Sequence, residues 1–239
     1  PQPRTSTVLV NRQPQQSTVQ PEDRNFAGVV FKVQANMDAN HRDRIAFVRV
    51  ASGKYTAGMK LKVQRTAKEL RPTSVVTFLS QRREAVDEAY AGDIIGFTTH
   101  GGVLLGDTIT DGPNLQFTGL PFFAPEMFMT VVLKNPLRSK QLQQGLMELG
   151  EEGAIQVFKP DAGGNMLLGA VGQLQFEVVQ HRLKTEYDCD IRLEGCQYTG
   201  ARWITADTPA ELRQFEAAYP LRLAHDAANT LAFLCTSPY

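Results

Sequence analysis

Over residues 26–119 the chain repeats apolar residues at every second position in short runs, the period of a strand with one buried face. Val29, Phe31, Val33 and Ala35 alternate with Val30, Lys32 and Gln34. Met59-Lys60-Leu61-Lys62-Val63-Gln64 sends Met59, Leu61 and Val63 to one side and Lys60 and Lys62 to the other. Ile45–Val50, Val75–Leu79 and Asp93–Phe97 read as further strands. Turn residues part them, at Ser52-Gly53-Lys54, Ala57-Gly58, Ala91-Gly92-Asp93 and Gly101-Gly102. Many short strands at this spacing predict a β-barrel.

Beyond Pro121 the period changes. Val131-Val132-Leu133 is strand-like, and Asn135-Pro136 supplies a helix cap and a proline for the first helical position. Leu142, Leu146 and Leu149 share one helical face, and Gly153 ends the helix. Strands follow at Ala154–Phe158 and Met166–Ala170. A second helix has Phe176, Val179, Leu183 and Tyr187 on its inner face, and a strand at Cys189–Leu193 comes after it. The order β-α-β-β-α-β is the split, ferredoxin-like plan, which makes the chain α+β. A C-terminal extension adds a strand, helix and strand near Ala201–Thr205, Ala210–Ala217 and Thr230–Cys235. Residues 1–25, rich in Pro, Gln, Ser and Thr, lack a sustained period and read as a linker, with one short strand at Thr7–Val10. This reading gives three parts: a linker at 1–25, a barrel at 26–119 and the ferredoxin-like domain with its extension at 120–239.

Composition narrows the classes. The chain has 239 residues, 42% of them hydrophobic, enough for packed cores, and its formal net charge is zero. No apolar run is long enough to span a bilayer, and the N-terminus lacks the order of a signal peptide. It also lacks a starting methionine, as expected of a segment inside a longer protein. Cys189, Cys196 and Cys235 form no CxxC, which fits a reduced, cytoplasmic compartment and a role as small core fillers.

Catalytic signatures do not emerge. There is no GxxxxGK[ST] phosphate loop and no GxSxG elbow. Asp93–Gly96 and Asp161–Gly164 match a DxxG string, but without a phosphate loop both read as turns beside strands. His41, His100, His181 and His225 have no metal-ligand spacing, and Glu151-Glu152 reads as a solvated helix end. The expectation is no catalytic, nucleotide or metal site in this chain. Charge is the informative feature. Between Lys32 and Arg71 ten Lys or Arg face only Asp38, Asp43 and Glu69. Such a basic barrel face suits a phosphate backbone, and equally suits a solvated surface whose charges guard strand edges, since the sequence shows no aromatic platform for stacking bases beside it.

Phe31–Asp38, His41–Val50, Ser52–Tyr55 and Gly58–Leu61 resemble the second, elongation-factor-type β-barrel domain of the bacterial peptide chain release factor 3 family, the translational GTPases of termination. Gly169–Val178 and Arg182–Tyr187 resemble the third domain of that family, and the similarity covers residues 26–236. Elongation factor G has comparable domains, but usually carries an acidic residue and a His where this chain has Gln173 and Gln175. The resemblance implies a ribosome-docking part of a class II release factor that promotes dissociation and recycling of class I release factors after peptide release. It implies GTP, GDP and Mg²⁺ only in a GTPase domain outside this chain. Its implied partners are small-subunit ribosomal RNA and protein, the class I factors indirectly, and the GTPase domain. No membrane is implied, and the state is monomeric. Arg42, Arg44, Lys54, Lys60, Lys62, Arg65 and Lys68 are then the candidates for RNA phosphate contacts, with Asp43 orienting the turn. The alternatives are a stand-alone RNA-binding or protein-interaction module, or the equivalent part of an elongation factor G-like protein.

Overall fold

The computed structural model describes residues 4–10, 13–35, 44–79, 82–99, 102–112, 114–118 and 123–237. The chain divides into two units, Pro1–Pro121 and Phe122–Tyr239. His41, Arg42, Asp43 and His100 lie outside the described residues.

The first unit is all β. β1 (Arg4–Val10) and β2 (Gln13–Val19) form an antiparallel hairpin, and β1 also pairs with β13 (Leu115–Phe117). Two strands therefore occupy most of the stretch read from sequence as linker. The Thr, Ser and Val residues within it favour extended backbone, and pairing with β13 supplies the partner that composition alone does not reveal. β3 (Ala27–Ala35), β4 (Arg44–Ser52), β6 (Leu61–Val63), β7 (Lys68–Leu70), β8 (Thr73–Leu79), β9 (Arg82–Ala85), β11 (Ile94–Thr99) and β12 (Thr108–Thr110) make one antiparallel sheet. Its order is β7-β6-β12-β3-β4-β11-β8-β9. β5 (Lys54–Thr56) and β10 (Glu88–Tyr90) pair as a separate ribbon. The sheet curls into a barrel around Phe26, Val30, Val48, Tyr55, Leu61, Ile95 and Ile109, all essentially inaccessible to solvent.

Simple alternation fails in β3. Val30 pairs with Val48 but Lys32 pairs with Phe47, so Phe31 is an extra residue at a β-bulge. Val30 and Val33 turn inward, while Phe31 and Lys32 both face outward. The period expected Phe31 to share the inner face with Val33. The inserted residue resets the phase, and Val30 takes the core position instead.

In the second unit β14 (Met127–Leu133), β15 (Gln156–Pro160), β16 (Leu167–Ala170) and β17 (Ile191–Gly195) stand in the order β17-β14-β16-β15. That is the ferredoxin-like order, fourth-first-third-second. α1 (Ser139–Glu151) and α2 (Gln173–Glu186) cover a core of Val131, Leu146, Leu149, Leu168, Phe176, Val179, Leu183 and Ile191. Asn135 caps a 3-10 turn, Pro136–Arg138, by accepting from the Leu137 N–H at 3.1 Å, so α1 proper starts one turn later than the motif suggested. Gly153 takes the left-handed conformation after the C-terminus of α1. Arg182 on α2 bonds Glu152 at 2.6 Å and Glu186 at 2.7 Å, and the Tyr187 hydroxyl donates to Glu148 at 2.7 Å. Burial, then the Glu148 bond, pushes the Tyr187 hydroxyl well above the ordinary tyrosine range.

The extension comprises β18 (Gly200–Trp203), α3 (Pro209–Ala218), β19 (Leu223–Asp226) and β20 (Leu231–Cys235), and it widens the sheet beyond β15 as β19-β20-β18. α3 begins with a full capping box: Glu211 N–H donates to Thr208 Oγ1 and Thr208 N–H donates to Glu211 Oε2. β19 is the element the sequence did not announce. Its four residues are too few to show a period.

Two outcomes follow from this packing. Gly53 has φ +67°, and a Cβ there would sit 2.5 Å from the Asn25 carbonyl oxygen. Gly53→Ala is expected to destabilise the barrel by about 2 kcal/mol or more, read from the urea midpoint. Cys189 is fully buried and burial pushes its thiol pKa up, whereas Cys196 and Cys235 are partly exposed. An alkylating reagent is expected to label Cys196 and Cys235 in the native protein and Cys189 only after unfolding, as peptide mass mapping would show.

Candidate nucleic-acid interface

The basic residues form a group on the β6–β7 hairpin. Leu61 and Val63 point into the barrel, which turns Lys62 outward between them. In register, Lys62 stands opposite Glu69 and Val63 opposite Lys68. Lys60, Lys68 and Arg71 are exposed around the same hairpin. Its one carboxylate, Glu69, lies a loose 3.9 Å from Lys60. The hairpin thus carries a surplus of positive charge at its surface.

Arg65 has a different task. Its Nε donates to Asp107 Oδ1 at 2.7 Å and its Nη2 to Asp107 Oδ2 at 3.0 Å and the Gly102 carbonyl at 3.2 Å. Asp107 is 3% exposed at its side chain and also accepts from the Leu104 N–H at 2.8 Å. The fork of the guanidinium is thereby directed inward, and Arg65 holds the hairpin against the turn before β12.

The remaining candidates are dispersed. Lys54 bonds Glu88 at 2.6 Å and sits over the Tyr90 ring at 5.4 Å. The Lys54 bond holds the Glu88 carboxyl below its usual range. Arg44 opens β4, opposite Ala35 and Thr99, and is half-buried. Arg42 and Asp43 lie outside the described residues. The sequence reading counted Lys32 for its charge but missed that it stands with Phe31 and Phe47. These meet on the outer barrel face, with the two rings 6.3 Å apart at 62° and Lys32 Nζ 5.3 Å from the Phe47 centroid. The signal for them is cross-strand register, which sixteen positions of sequence separation hide.

Among the described residues no group of His, Cys, Asp and Glu is placed to hold a metal ion. Asp161–Gly164 is a turn, where Asp161 Oδ1 meets His225 Nδ1 at 2.7 Å, whereas of Asp93–Gly96 only Asp93 precedes β11, its Oδ2 accepting from the Tyr90 N–H at 2.8 Å, and Ile94–Gly96 belong to the strand. No helix among the described residues is long and apolar enough to cross a membrane.

Comparison with known families assigns the two units separately. Residues 25–112 match elongation factor G domain 2, and residues 117–239 match "Class II release factor RF3, C-terminal domain", which is more than half of the chain. The chain belongs to the class II release factor RF3 family. It is 62% identical to peptide chain release factor 3 of Bordetella pertussis over 228 residues, 95% of this chain and 43% of that protein. With the namesake of Nitrosomonas europaea it shares 59% over 221 residues, 92% of this chain and 41% of the relative. The chain therefore spans less than half the length of these relatives. A crystal structure of a Thermus thermophilus protein matches with a TM-score of 0.61 at 21% identity, covering 78% of this chain and 30% of that one, which supports the fold alone.

In this release-factor chain Gln173 and Gln175 open α2. Gln175 Oε1 accepts from the Val171 N–H at 2.8 Å and the Gly172 N–H at 3.2 Å, and its Nε2 donates to the Ala154 carbonyl at 3.2 Å. Gly172 has no side chain to reciprocate, so this is the glutamine half of a capping box, and it fastens the helix start to the loop before β15. The residue that separated this chain from elongation factor G in the sequence thus has a structural task.

Arg65→Gln removes one partner of a buried carboxylate. It is expected to cost about 1–3 kcal/mol, given that Arg65 itself is one-third exposed. Lys68→Gln, at an exposed position, is expected to change stability by less than about 0.5 kcal/mol. Thermal melts followed by circular dichroism compare the two.

Proposed function

We propose that this chain is the ribosome-docking part of a translation-termination GTPase. Family membership supports the termination role, and the β6–β7 hairpin is the observation that carries the docking role. Lys60, Lys62, Lys68 and Arg71 lie together on it, against Glu69 alone. Their side chains meet phosphates of small-subunit ribosomal RNA, a contact that positions the factor without reading sequence. Arg65 and Asp107 keep the hairpin rigid behind them. Lys54 and Arg44 play a lesser part, the first because Glu88 already neutralises it. GTP, with Mg²⁺, binds in a domain outside this chain. Hydrolysis there is coupled through these two units to dissociation and recycling of class I release factors after peptide release. The factor acts in the cytoplasm as a monomer.

Each phosphate neutralised releases counterions, so binding weakens with salt. About four hairpin contacts give a log–log slope of roughly −3 to −4. Cosedimentation with small ribosomal subunits at several salt concentrations is the test. Lys62→Gln and Lys68→Gln are each expected to reduce the slope by about 1. Arg213→Gln, on the exposed surface of α3, is expected to leave it unchanged. Binding insensitive to salt and to the hairpin variants would refute the docking role and favour a protein-interaction module.

A further inference from the structure

The outer face of the barrel across β12-β3-β4-β11-β8 has an unusual charge balance. These five neighbouring strands carry Lys32, Arg44 and Arg49 and no Asp or Glu. The nearest carboxylate before β11, Asp93, is occupied by the Tyr90 N–H. Within this face the bulge in β3 presents two successive side chains, Phe31 and Lys32, on the same side. Phe31 is 38% exposed, and so is Ile94 on β11, whose partner in register is Arg49. Phe47, one strand over, meets Phe31 edge to face. An exposed aromatic ring in mid-sheet gains nothing for the core. Val30 and Val33 fill the inner positions of β3 without it. A bulge that turns a phenylalanine into solvent marks a surface with a task.

We propose that Phe31, with Phe47, Lys32 and Arg49, is a stacking site for an unpaired RNA base. Every base offers a π-face to an exposed ring, and flanking cations hold the adjoining phosphates, the combination used by sheet surfaces that bind single strands. The lack of carboxylates across five strands removes the repulsion such a backbone would meet. Phe31 takes the base, Phe47 braces the Phe31 ring at 62°, and Lys32 and Arg49 face the phosphates on either side. The inference rests on the docking role of the barrel but concerns a different face chemistry: the β6–β7 hairpin binds phosphate only, whereas this site requires a base free of pairing.

The test uses this chain with fluorescein-labelled short oligouridylate, oligoadenylate and an RNA duplex, read by anisotropy. Wild type is expected to bind the single strands more tightly than the duplex. Phe31→Leu, which keeps the position apolar, is expected to weaken single-strand binding by at least about fivefold. Phe31→Trp is expected to retain binding, and its added indole emission to be quenched by oligoadenylate beyond any change seen from Trp203 in the wild type. Equal binding by Phe31→Leu and wild type, or no preference for single strands, overturns the proposal. Cosedimentation with small subunits on the same variants separates this failure from that of the docking role. If Lys62→Gln weakens subunit binding while Phe31→Leu leaves oligonucleotide binding unchanged, the stacking site falls and docking stands. If subunit binding ignores salt and the oligonucleotides fail to bind, both fall. Loss of subunit binding in Phe31→Leu without any oligonucleotide binding also overturns the proposal, and assigns the face to a protein partner.

Discussion

The first unit is organised around a buried carboxylate. The Asp107 carboxylate cannot leave water without partners, and Arg65 beyond β6 and the Leu104 N–H in its own turn supply them, while the Asp107 backbone pairs with β3. The Val30 N–H donates to the Asp107 carbonyl at 2.9 Å and the Gly106 N–H to the Val30 carbonyl at 2.8 Å. One turn therefore sets the spacing of β3, β12 and the β6–β7 hairpin. The bulge at Phe31 sits directly after Val30, so the placement of the outward-facing ring depends on the same anchor. An apolar residue at 107 would fill the space and keep the backbone bonds to Val30, but it would release Arg65 and the Leu104 N–H, because burial has no direction.

The second unit solves a related problem with helices. α1 and α2 lie on the sheet through apolar contacts, and polar groups at their ends set their register: Arg182 bridges Glu152 and Glu186, Tyr187 meets Glu148, and Gln175 caps α2 while reaching Ala154. Glu152 is nearly buried at its side chain, not at the solvated helix end read from the sequence, so its pairing with Arg182 is a requirement of the fold more than a source of stability.

Much of this was legible in the sequence. The alternation of Leu61, Lys62 and Val63 placed the lysine outward, as found, because a short strand with one wet face obeys its period. The β-α-β-β-α-β order was readable because long amphipathic helices separate its strands. What escaped has physical causes. A bulge adds one residue without changing composition, so Phe31 was assigned to the wrong face. β1 and β2 owe their existence to pairing, including pairing with a strand more than a hundred residues later. Arg65 looked like its basic neighbours, since an arginine facing Asp107 and one facing solvent are the same letter. The Phe31–Phe47–Lys32 group exists only once β3 and β4 are in register. Charge counting found the basic hairpin and passed over the aromatic face beside it.

The β18–β20 extension has a consequence for the rest of the ferredoxin-like sheet. In the four-strand plan β15 would be a terminal strand, with a row of unpaired amides and carbonyls open to any other chain. Pairing with β19 makes it an interior strand, as Phe158, Lys159 and Pro160 face Asp226, His225 and Ala224. One rim stays at β17, which carries Arg192 and Glu194, and the other passes from β15 to β18, which carries Arg202. Charged residues on short outer strands discourage edge-to-edge aggregation. The extension therefore protects solubility by closing the β15 edge.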